Sequence, residues 1–124
     1  MKTSDVYWLA GMLEGEGTFG FYPRGDGRSP CPRVSMATTD EDVCVRVADL
    51  LGGRVYRRKK LKHEQKPVFN TSVGGSRAAG WMMTLLPILG LRRRAKVVDS
   101  LRGWRAVRAC PNRSPRNWAH KEAA

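Results

Sequence analysis

The stretch running Trp8, Leu9, Ala10, Gly11, Met12, Leu13, Glu14, Gly15, Glu16, Gly17 sets two carboxylates and three glycines at the end of an apolar helix. Val6, Leu9, Ala10 and Leu13 recur at i, i+3, i+4 and i+7, the spacing of a buried helix face; Ser4 is the expected cap and Gly17 the expected stop. A helix C-terminus carries the negative end of the macrodipole, so each acid in the last turn costs roughly 0.3–1 kcal/mol unless a cation or donor compensates it. Something positive is therefore expected there.

The rest of the chain alternates between the two periodicities. Residues 18–22 read as a strand with Phe19 and Phe21 on one side, 23–32 as a Gly/Pro/Arg-rich loop, and 33–38 as a second strand. Thr39 or Asp40 caps the next helix, whose apolar stripe is Val43, Val47, Leu50 and Leu51 and whose stop is Gly52-Gly53. A third strand over 54–62 pairs with 68–73 through a basic loop holding His63, Glu64, Gln65 and Lys66. Ser76 opens a helix over 77–86, Pro87 and Gly90 interrupt it, and 92–104 has helical spacing in Ala95, Val98, Leu101 and Trp104. The order α-β-β-α-β-β-α-α predicts an α+β domain over 1–104, followed by a basic, weakly ordered tail over 105–124.

Charge narrows the class of partner. Lys and Arg number 23 against 11 Asp and Glu, a formal charge of +12, which favours a polyanion: nucleic acid first, an anionic membrane surface second. Cys31, Cys44 and Cys110 lie far apart with no Cys-x-x-Cys pair, so a reduced, intracellular and cytoplasmic setting is expected. The apolar run 6–13 is too short for a signal peptide or a membrane span. Trp81, Met82, Met83, Leu85 and Leu86 read as core or interface filling, so no small-molecule substrate is expected.

Three groups of residues carry candidate chemistry. Gly11 and Gly15 share one helix face; they either admit the backbone of a second helix or simply relax the helix end. Glu14 and Glu16, two residues apart, point about 200° from each other in a regular helix and cannot share a ligand. Glu16, where the helix unwinds, suits an all-oxygen cation site together with the Gly15 carbonyl, while Glu14 orients neighbours or pairs with a base; the plain alternative is two solvated acids. The basic segment Arg54, Arg57, Arg58, Lys59, Lys60, Lys62 and Lys66, with Arg24, Arg28 and Arg33 flanking the first hairpin, is either a solvated face or a DNA contact. On a strand Arg58, Lys60 and Lys62 project to one side and Arg57 and Lys59 to the other, so at most one set reads bases.

The run 9–17 resembles the LAGLIDADG motif of homing endonucleases. The likeness continues in Thr18-Phe19, in Val34-Ser35-Met36 leading to Thr39-Asp40-Glu41-Asp42, in Gly52-Gly53, and from Leu85-Leu86-Pro87 through Leu91-Arg92-Arg93-Arg94-Ala95-Lys96, covering about residues 6–101. The resemblance implies an αββαββα fold with a four-stranded antiparallel saddle over the DNA major groove, plus an extra C-terminal helix here. It implies a homodimer joined through the motif helix, with Leu9, Ala10, Gly11, Met12 and Gly15 at the interface. Glu16 and the Gly15 carbonyl would bind Mg²⁺ (or Mn²⁺), and a basic residue, Arg92 in preference to Lys96, would stabilise the transition state. Met36 stands where some members place a polar, water-organising residue.

The function so implied is site-specific hydrolysis of both strands of a long, near-palindromic DNA duplex, in the setting of an intron, an intein or a phage genome. One acid per chain and two strands to cut together require two copies. The rival reading is a LAGLIDADG-derived DNA-binding regulator or RNA maturase without cleavage.

Overall fold

The computed structural model describes residues 1–23, 29–58 and 66–108. Helix α1 spans Thr3–Glu16 and passes directly into strand β1, Gly17–Tyr22. Strand β2, Cys31–Thr38, is followed by α2, Glu41–Leu51; β3, Tyr56–Arg58; β4, Val68–Gly74; α3, Gly75–Leu85; and α4, Leu91–Arg108. The element order is the one expected from the sequence. All pairings are antiparallel in the sheet order β1-β2-β4-β3, so two hairpins meet along β2 and β4 at the centre.

Strand alternation divides the sheet into two faces. Phe19, Val34 and Val73 lie in one cross-strand row and Met36 and Thr71 in the next; all are buried beneath the helices. From above, α1 contributes Leu9, Ala10 and Leu13, α2 contributes Val47 and Leu51, α3 contributes Ala78, Met82 and Leu85, and α4 contributes Val97. The opposite rows carry Thr18, Ser35 and Ser72, then Arg33, then Ala37, Asn70 and Tyr56, all exposed or half-exposed. No helix among the described residues covers this open face.

Local chemistry fixes the helix ends. Gly52 adopts the left-handed conformation (φ 83°), and its N–H and that of Gly53 both donate to the Ala48 carbonyl, closing α2. The next orphan carbonyls are met by side chains of α3, Arg77 donating to Gly52 and the Trp81 indole donating to Leu51 at 3.2 Å. Arg46 on α2 lies 3.9 Å above the Trp8 ring and 3.4 Å from Asp5, tying α2 to the start of α1.

Four expectations are corrected. Helix α1 starts at Thr3 after Lys2 with no side-chain cap, so Ser4 does not cap it. Strand β2 begins at Cys31 and includes Pro32, which pairs with Phe21; pairing to β4 starts only at Arg33, so the missing proline N–H interrupts no bond on that side. Gly74, not Ser76, precedes α3. On α4, burial falls on Val97 and Ser100 rather than on Ala95 and Val98, because the hydroxyl of Ser100 donates to the Lys96 carbonyl at 2.8 Å and can lie inside.

The glycines of α1 differ in what surrounds them. A Cβ at Gly17 would sit 2.6 Å from the Leu13 carbonyl oxygen, whereas at Gly11 and Gly15 nothing lies within 4 Å. Gly17→Ala is therefore expected to destabilise the chain by about 1–3 kcal/mol, and Gly11→Ala to stabilise the monomer by about 0.5–1 kcal/mol through helix propensity, both read from urea unfolding.

Candidate active site and nucleic-acid face

Helix α1 has no basic residue in its last turn, and its two acids are both exposed. The compensation expected there comes from α4. Glu14 Oε2 accepts a hydrogen bond from the backbone N–H of Gly90 at 3.2 Å, and Gly90 opens α4, its own carbonyl accepting from Arg94 N–H at 2.9 Å. The carboxylate thus rests on the positive end of a helix dipole. A Cβ at Gly90 would come 2.6 Å from Glu14 Oε1, so a side chain here would make the Glu14 carboxylate shift from its place over the Gly90 N–H. Beside that contact, the guanidinium of Arg93 donates to the carbonyl oxygen of Gly17, the first residue beyond the motif acids.

Glu16 is left over. It makes no hydrogen bond or ion pair among the described residues, and it lies between Gly15, which carries no side chain, and the anchored Gly17. No group of three His, Cys, Asp or Glu side chains is assembled among the described residues, so at the end of α1 the oxygen donors on offer are the Glu16 carboxylate and neighbouring backbone carbonyls. Such a set of hard oxygen donors fits part of a Mg²⁺ or Mn²⁺ site completed by water, phosphate oxygens or a second copy of the chain.

The three arginines that open α4 have separate duties. Arg94 turns back to the carbonyls of Leu89 (3.2 Å) and Pro87 (3.4 Å), and Arg93 is held by Gly17. Arg92 is exposed and makes no hydrogen bond or ion pair among the described residues; Lys96, one turn later, is exposed too. The two cations favoured from the sequence share the outer face of α4.

On the open sheet face, Arg33 sits 5.8 Å from the centroid of the Tyr22 ring, and that ring lies against Gly20, where a Cβ would collide with it. Arg58 pairs with Val68 in the row beside Asn70 and shares this face; Arg57 pairs with Phe69 and takes the other. Lys66 is exposed just before β4. Arg24, Arg28, Lys59, Lys60 and Lys62 lie outside the described residues. Thr18, Ser35, Tyr56, Asn70 and Ser72 also belong to the face and were not singled out from the sequence, although the alternation of Asn70 and Ser72 with Phe69, Thr71 and Val73 was there to read.

One assignment changes. Leu9 and Ala10, expected at a dimer interface, are buried in the chain's own core, which leaves Gly11, Gly15 and half-buried Met12 on the outer side of α1. Met36 is 2% exposed and packs in the core, paired across the sheet with Gly17.

No protein-family model and no curated protein matches the chain. Solved structures do. The homing endonuclease I-CvuI in complex with its target superimposes with a TM-score of 0.62 at 20% identity over 82% of this chain and 68% of its own. The group I intron-encoded homing endonuclease I-CeuI, complexed with DNA, gives 0.59 at 11% identity over 86% and 54%. The archaeal intron-encoded I-Vdi141I, also complexed with DNA, gives 0.54 at 15% identity over 73% and 61%. Identities this low speak for architecture alone, and together with the motif at the end of α1 they show that the chain has the LAGLIDADG homing-endonuclease fold.

Proposed function

We propose that this chain is a site-specific, divalent-metal-dependent DNA endonuclease of the homing type that works as a homodimer on a near-palindromic duplex. The observation that carries the reading is the division of labour between the motif acids: Glu14 is spent on the start of α4, while Glu16 precedes an anchored Gly17 and its carboxylate has no partner among the described residues. A DNA-binding regulator or RNA maturase has no need of that free acid.

In this reading Glu16 and the Gly15 carbonyl hold Mg²⁺ or Mn²⁺. When bound, the cation supplies charge neutralisation at the phosphate and lowers the pKa of water there. Arg92, with Lys96 behind it, stabilises charge developing on the phosphate. Gly11 and Gly15 let a second copy of α1 approach closely, which supplies the second acid that cutting both strands requires. The open sheet face lies in the major groove, and the excess of Lys and Arg makes binding steeply salt-dependent. Among the described residues no helix is long and apolar enough to cross a membrane, and Cys31 and Cys44 are free thiols, in keeping with an intracellular, cytoplasmic setting. Residues 1–104 form the endonuclease domain, and 105–124 a basic tail whose helical part, α4, extends to Arg108.

Selection of cleaved sites from a randomised duplex library in Mg²⁺, with wild type and Glu16→Gln side by side, tests the reading. One long, near-palindromic site enriched by wild type alone is the expected result; binding to a site that neither protein cuts would reverse it in favour of the regulator. The two strand faces make a separate prediction on the recovered site. Arg58→Ala should cost about 1–3 kcal/mol of discrimination at one base pair per half-site, and Arg57→Ala should leave the sequence preference unchanged, as measured by competition binding.

A further inference from the structure

The first turn of α4 places Arg92, Arg93 and Arg94 at the positive end of a helix dipole, where cations are disfavoured. Two of them have clear destinations: Arg94 returns to the carbonyls of the preceding turn, and Arg92 faces outward. Arg93 is half-buried and reaches 76 positions back along the chain to the Gly17 carbonyl.

The peptide it reaches is a sensitive one. Helix α1 becomes strand β1 between Glu16 and Gly17 with no connecting residue. The Gly17 N–H donates to the Leu13 carbonyl, and its Cα is packed so closely on Leu13 that no side chain fits. With its N–H held by Leu13 and its carbonyl by Arg93, Gly17 has both polar groups fixed, directly after the residue that bears the Glu16 carboxylate. A guanidinium is suited to this work because it is always charged and its planar fork gives up little freedom per bond formed.

We infer that Arg93 is a positioning residue: by pinning the Gly17 carbonyl it fixes the direction in which Glu16 leaves the motif, and it does so from the turn that carries Arg92, so that acid and cation are set relative to each other by one contact. The inference rests on the endonuclease reading for its catalytic consequence. Its structural half stands on the contact alone.

The test uses Arg93→Met, which keeps the apolar stem and loses charge and donors, and Arg93→Lys, which keeps the charge. In wild type and each variant, amide hydrogen exchange is followed along the chain, and the duplex recovered with wild type is assayed for binding without divalent cation and for single-turnover cleavage in Mg²⁺. Arg93→Met should speed exchange at Gly17 and Thr18 about tenfold or more with the α2 and α3 amides unchanged, as expected for loss of a charge-assisted bond. Its cleavage rate constant should fall at least about tenfold while duplex affinity stays within about twofold, and Arg93→Lys should recover most of both losses. Unchanged exchange at the junction, or a cleavage loss that only follows a loss of affinity, overturns the inference. If Arg93→Met does not fold, Arg93→Gln replaces it with the same criteria. If wild type cuts no duplex, the endonuclease reading fails, and exchange at Gly17 and Thr18 alone decides whether Arg93 holds the junction.

Discussion

Everything in this molecule is referred to the meeting of the last turn of α1 with the first turn of α4. A helix that ends in two carboxylates places like charge on its own negative pole, and the chain resolves this by bringing the opposite pole of another helix against it. Gly90 N–H donates to Glu14 at the end of α1, and Arg93 donates to the carbonyl of Gly17, the first residue of β1. Since β1 starts at Gly17, these bonds also set where the edge of the sheet begins.

That junction joins two surfaces with different tasks. The helix-side rows of the sheet, Phe19, Val34, Met36, Thr71 and Val73, are consumed by the core. The open rows carry Thr18, Arg33, Ser35, Arg58, Asn70 and Ser72, exposed or half-exposed. Because α1 runs into β1 without a linker, Glu16 and the first residue of the open face, Thr18, are two positions apart; in the proposed function this sets a duplex on the strands close to the acid. Net charge supplies the attraction, the polar alternation supplies the reading surface, and the anchored acid supplies the chemistry in the proposed role.

Much of this was legible in the chain because the signals were redundant. In α1 the apolar spacing, the glycine stop and the following alternation all agreed, and in α2 Val47, Leu51 and a left-handed Gly52 appear where the pattern put them. That Glu14 and Glu16 differ in surroundings was accessible from their spacing; that the partner of Glu14 is the backbone N–H of Gly90 rather than a base was not. The errors fall where one residue type supports two readings. Pro32 read as the end of the Gly/Pro/Arg-rich loop, and it is accepted in β2 because the register of β4 stops short of it. Leu9 and Ala10 are as apolar as any interface residue; which side of α1 meets the core depends on the sheet beneath. On α4, Ser100 hid the buried stripe because its hydroxyl is satisfied within the helix. Gly90 and Arg93 were invisible as site residues for a different reason: their partners are 76 positions away, and nothing in local periodicity records such a contact.

The central claim is that the end of α1 holds a divalent cation against DNA through Glu16. Replacing Mg²⁺ with Fe²⁺ and adding ascorbate and peroxide generates hydroxyl radicals where the cation resides, and the sites of protein backbone scission can then be mapped by mass spectrometry. Scission is expected to cluster at Gly15, Glu16 and Gly17, to depend on the recovered duplex and to be lost in Glu16→Gln. Scission centred instead on the acidic start of α2, at Asp40, Glu41 and Asp42, or unaffected by Glu16→Gln, would contradict it.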